Sequence, residues 1–151
     1  MTYRSILTIL TNASDAMLSI SAAAKLAESQ DAHLDVLVLG VDRTQVGYSY
    51  IGTGAVLMQA ALDRAENEAK EIESAAKTAI SAQFPTLRWS SESLITQVGA
   101  LNEVVAARAR FADLVVLPRP YRTGRSSDAE AAMEAALFEG RAPVLIVPDA
   151  G

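Results

Sequence analysis

Five short runs of β-branched and aliphatic residues alternate with stretches in which apolar residues recur every three or four positions. That alternation predicts parallel strands joined by crossover helices. The first run is Ser5 to Leu10 (SILTIL), and the second, Leu34 to Val41 (LDVLVLGV), is apolar almost throughout, as expected of a strand covered on both faces. The third, Leu87 to Val98, alternates loosely through Trp89, Ser91, Leu94 and Thr96, and its polar content predicts an edge strand. Asp113 to Leu117 and Pro143 to Val147 complete the set. Pro118 and Pro148 close them, because proline cannot donate to a ladder.

The first helical pattern puts Met17, Ile20, Ala24 and Ala27 on one face, with Asn12 or Ser14 as its cap. The second runs from about Ala55 to Ala82, with a stripe of Leu57, Ala61, Ala65, Ala69, Ile72, Ala76 and Ile80. Glu66 with Lys70 and Glu73 with Lys77 stand four apart on its outer side, where each pair contributes roughly 0.2–0.5 kcal/mol. A third helix, Leu101 to Arg110, follows Gly99. The fourth opens on a capping box, Ser127 with Glu130, and ends at Gly140, a candidate left-handed C-cap.

Composition narrows the picture. A length of 151 residues, half of them apolar and 21% charged, describes one folded domain spanning 1–151. The apolar share is mostly Ala, Leu, Val and Ile; small residues let helices sit close to a sheet, and the scarcity of aromatics argues against base stacking. A formal charge of -5 repels a phosphate backbone, so no nucleic-acid partner is expected. There is no cysteine, and His33 is the only histidine, which removes thiolate chemistry and leaves a metal site to carboxylates alone. The longest apolar stretch, Val36 to Val41, is too short for a bilayer, and the opening MTYRSILTILTNAS makes a poor signal peptide. No membrane association and a cytoplasmic location are the expectation.

The strand RSILTIL, the long second helix, Val98-Gly99 followed by Leu101-Asn102-Glu103-Val104-Val105, the run Ala112 to Leu117 and the end Gly140-Arg141-Ala142-Pro143-Val144-Leu145-Ile146-Val147-Pro148 together resemble the universal stress protein family over nearly the whole chain. The resemblance implies an α/β fold: an open five-stranded parallel sheet of order 3-2-1-4-5 with helices on both faces, Rossmann-like and akin to the adenine nucleotide alpha hydrolases. In such sheets ligands bind beyond the carboxyl ends of the strands where the order reverses. Here that crevice would be lined by Thr11, Asn12 and Ala13, by Val41 and Asp42, and by the loop from Pro118 to Ser127.

ATP-binding members of the family carry an Asp after strand 1 and a loop Gly-x-x-Gly with a Gly-Ser or Gly-Thr nine residues on, glycines that let backbone amides approach phosphates. This sequence departs at every position. Thr11 replaces the Asp, Pro118 and Tyr121 replace the two glycines, and Glu130-Ala131 replaces the final pair. Proline removes a donor, and Glu130 places a negative charge at a helix start. No cofactor is therefore expected, and ATP or AMP is disfavoured.

The loop nonetheless holds Arg119, Arg122 and Arg125 together with Gly124, Ser126 and Ser127 just before a helix. It reads either as an anion site built on guanidinium forks and helix amides or as a solvated loop. Gly52-Thr53-Gly54 fails the dinucleotide spacing and reads as a connection, and Tyr48 and Tyr50 beside it either cover the crevice or pack on the sheet end. His33, at the other end of strand 2 from the crevice, is assigned to the surface, and no Ser-His-Asp arrangement is expected.

The leading expectation is a non-catalytic stress-response or regulatory protein, working through unidentified protein partners. The alternative is a nucleotide or anion sensor using the Arg119–Arg125 loop. Strand 5 would form a sheet edge with no charge between Pro143 and Pro148, so a homodimer built on Val144, Leu145, Ile146 and Val147 is expected.

Overall fold

The computed structural model describes residues 3–42, 54–118 and 127–147. In chain order the elements are β1 (Ser5–Leu10), α1 (Ala13–Gln30), β2 (His33–Asp42), α2 (Gly54–Gln83), β3 (Trp89–Gln97), a 3₁₀ turn (Val98–Ala100), α3 (Leu101–Ala109), β4 (Leu114–Pro118), α4 (Ser127–Glu134) running into a π-helical turn (Ala135–Glu139), and β5 (Val144–Val147). All five strands are parallel and lie in the order β3-β2-β1-β4-β5. The polar third strand does occupy an edge, and the largely apolar β1, β2 and β4 fill the middle.

Because successive side chains point to opposite faces, each inner strand feeds two cores. Ile6, Val36 and Val38 face one side and pack with Ile20, Ile72 and Ile80 from α1 and α2. Leu7, Leu37 and Leu39 face the other and pack with Leu101, Val105 and Ala136 from the α3 and α4 layer. The expected stripe of α2 is buried from Ala65 through Ala69, Ile72 and Ala76 to Ile80. In α1 the stripe is rotated: Ala16, Ile20, Ala23, Ala24 and Ala27 are buried, whereas Met17 is 43% exposed. On α2, the Glu73 carboxylate turns to the sheet and accepts a hydrogen bond from the Ser91 hydroxyl at 3.1 Å.

Two local features serve the sheet directly. Asp113 lies just before β4, and its Oδ2 accepts hydrogen bonds from the amides of Arg4 (2.7 Å) and Ser5 (3.0 Å), while its own amide donates to the Ser5 carbonyl at 2.9 Å. One carboxylate thus pins the starts of the two central strands. Thr8, fully buried in β1, donates its hydroxyl to the Val116 carbonyl of β4 at 2.9 Å.

Gly140 corrects the expected left-handed C-cap. Its φ is -80° and ψ -18°, which is right-handed, and the positive φ of 55° falls on Arg141. Glycine is required at 140 for space: an added Cβ would stand 2.7 Å from the Ala109 Cβ and 3.0 Å from the Ala136 carbonyl oxygen, where α3 meets the π-helical turn. Among the described residues no helix is long and apolar enough to cross a membrane.

Candidate functional site

The order of the strands reverses between β1 and β4, and the helices that follow them in the chain, α1 and α4, pack on opposite faces of the sheet. Thr8 is level with Val116, and two residues later the strands reach Leu10 and Pro118, the last residue of each. Thr11 and Asn12, both half-buried, leave β1 at that level and lead into α1 at Ala13. Pro118 is buried and is held in the ladder opposite Val147 of β5. The base of the crevice is therefore formed by the residues around Thr11, Asn12 and Pro118.

Val41 and Asp42 stand higher. Leu10 is level with Val38, so β2 continues three and four residues past the end of β1, about 10–13 Å at strand rise. There it pairs with β3, Val41 beside Thr96 and Asp42 beside Gln97. The crevice consequently has one tall wall, β2 with β3, and a low floor at β1. Thr96 is buried and its hydroxyl donates to the Gln97 carbonyl at 3.2 Å. Sequence reasoning did not include Thr96 and Gln97 in this wall, since their place depends on the β2–β3 register.

Ser127 begins α4, so the helix start to which the arginine loop leads is present. Arg119, Arg122, Gly124, Arg125 and Ser126 lie outside the described residues, as do Tyr48, Tyr50, Gly52 and Thr53. Of the candidate residues the structure brings together Thr11 and Asn12 at the floor and Val41 and Asp42 on the wall.

At the opposite, amino end of the sheet, His33, Asp35 and Ser90 do converge, which the sequence reading did not anticipate. Ser90 stands beside Asp35 in the β2–β3 ladder and donates to its Oδ1 at 2.7 Å; His33 Nε2 lies 3.1 Å from the same Oδ1 and 3.0 Å from the Ser90 hydroxyl oxygen. A nucleophilic relay needs serine on one ring nitrogen and the carboxylate on the other. Here both contact Nε2, and serine gives its proton straight to the carboxylate, so the cluster is a polar clasp. Among the described residues no group of three or more His, Asp or Glu side chains could hold a metal ion.

The parallel sheet and its 3-2-1-4-5 order, which reverses between β1 and β4, define a doubly wound α/β protein. No protein-family model and no curated protein matches the chain. Solved structures do. The chain is similar to the universal stress protein UspA from Lactobacillus plantarum, with a TM-score of 0.71 and 15% identity, covering 97% of this chain and 99% of that one. A universal stress protein from Burkholderia pseudomallei gives 0.65 and 21% identity over 97% and 96% of the two chains. One from Archaeoglobus fulgidus in complex with dAMP gives 0.59 and 15% identity over 97% and 99%. The fold is that of the universal stress proteins.

Proposed function

We propose that this chain is a universal stress protein of the branch without the glycine-rich ATP loop: one domain, cytoplasmic, non-catalytic, acting as a homodimer through regulatory protein partners. The observation that carries the reading is the match of the whole architecture, end to end in both chains, with UspA from Lactobacillus plantarum. The absence of the loop glycines comes from the sequence: Pro118 and Tyr121 stand where the first two would be, and a buried proline in the ladder has no amide to offer a phosphate.

A second reading has its own support. The Archaeoglobus fulgidus neighbour holds dAMP, and this chain has the strand reversal between β1 and β4 with three arginines in the sequence between β4 and α4. In that reading Arg119, Arg122 and Arg125 supply the anion contacts that glycines give elsewhere. Calorimetric titration with magnesium ATP and with AMP separates the two. The leading reading expects no binding in the low-micromolar range. A micromolar dissociation constant that falls when Arg119, Arg122 or Arg125 is replaced by Ala establishes the sensor instead.

A further inference from the structure

A cavity of about 320 Å³ opens on the α3 face of the sheet at the amino ends of β1, β2 and β3, the end away from the strand reversal crevice. It exists because two rules of a doubly wound sheet are broken there. Side chains facing a covering helix are normally apolar, yet the row Leu7–Asp35–Ser90 across β1, β2 and β3 carries a carboxylate and a hydroxyl, and in the next row Leu37 pairs with Glu92. The covering helix is also short: α3 has nine residues, and of these Arg108 lines the cavity before the chain turns at Phe111 and Ala112.

The charges at the walls are unequal. Arg108 grips Glu92 with both arms of its fork, Nε at 3.1 Å and Nη2 at 2.6 Å, so these two neutralise each other. Asp35 is left as the negative group. Ser90 and His33 both meet its Oδ1, and neither of these contacts uses Oδ2. Leu7 and Leu37 supply an apolar floor, and the Phe111 ring, 85% exposed, stands at the wall with no core around it. A volume of this size is at the lower end of small-molecule sites.

We propose that this cavity binds a small organic cation, an ammonium group carried on an apolar or aromatic body. The ammonium is held by the Asp35 carboxylate, and the body lies on Leu7 and Leu37 against Phe111, a ring whose face also attracts positive charge. The site does not depend on the family reading, since it lies at the other end of the sheet from the crevice.

Phenethylammonium is the probe, with phenylacetate as the anion of matching size, each titrated into the full chain by calorimetry and followed by amide chemical shifts. Phenethylammonium is expected to bind with a submillimolar constant and to shift the amides of β2, β3 and the Phe111 turn, while phenylacetate does not bind. Asp35→Asn should weaken binding about tenfold, the scale of one lost charged contact. Phe111→Ala, at an exposed position that leaves the core intact, should weaken it several-fold. Equal binding of phenylacetate, displacement of the amine by AMP, indifference to both substitutions, or no binding of the amine up to about 10 mM each overturns the proposal.

Discussion

Gly40 of β2 lies directly beneath the backbone of Ala65 in α2: a Cβ on Gly40 would collide with the Ala65 carbonyl oxygen and stand 2.7 Å from the Ile95 side chain. The carbonyl cannot move without the helix. Gly40→Ala should therefore destabilise the fold by about 1–3 kcal/mol, the usual range for overpacking a close contact. A lowered urea midpoint with an unchanged slope checks it, and a larger loss is expected for Gly40→Val.

Asp113 holds the amides of Arg4 and Ser5, at the start of the first strand, with one oxygen, in a position open to water. Water can replace part of what is lost, so Asp113→Ala should cost about 1–2 kcal/mol. Asp113→Asn keeps an acceptor oxygen and should recover much of that. Equal loss for the two substitutions in chemical denaturation would show that charge, rather than the hydrogen bonds, carries the effect.

Thr8→Val tests the buried side-chain hydrogen bond from β1 to β4. Valine fills the same space but leaves the Val116 carbonyl without the hydroxyl proton, and a loss of about 1 kcal/mol is expected. Hydrogen exchange at the amides of β4 should quicken in step.

The last strand divides into two kinds of residue. Leu145 and Ile146 are 43% and 36% exposed, while Val144 is half-buried and Val147 is buried against the α1 and α2 core. Pairing of this edge with a second copy predicts that Leu145→Lys or Ile146→Lys yields a folded monomer by light scattering, where the unaltered protein has twice that mass. Val147→Lys should unfold the chain instead. A dimer that survives both outer substitutions places the contact elsewhere.

Much of the architecture was legible because the apolar runs are nearly pure. A strand such as LDVLVLGV leaves no outer face for water, and WSSESLITQ leaves one, so the central and edge positions are written in the residues themselves. Helix faces were less legible where alanine dominates. In α1 Ala16 and Met17 compete for the same stripe, and the larger side chain is the one turned outward. Close approaches were invisible: nothing in the sequence distinguishes Gly140, needed for space, from a glycine needed for its backbone angles. In the crevice, Thr11 and Asn12 follow from strand ends alone, but the height of Val41 and Asp42 above them depends on register, and so does the meeting of Ser90 with Asp35.

The bond from Thr8 to Val116 joins residues 108 apart in the chain, and β1 lies between β2, its near neighbour, and β4, its distant one. During synthesis β1, α1, β2, α2 and β3 leave the ribosome first, with one side of β1 still open as a bare apolar edge. Such an edge invites the wrong partner until its own arrives. The slow, long-range closure of β1 onto β4 is then the step at which a nascent chain is most exposed to aggregation. Asp113, whose carboxylate accepts the amides of Arg4 and Ser5, stands just before β4 and so emerges ahead of every residue of that strand.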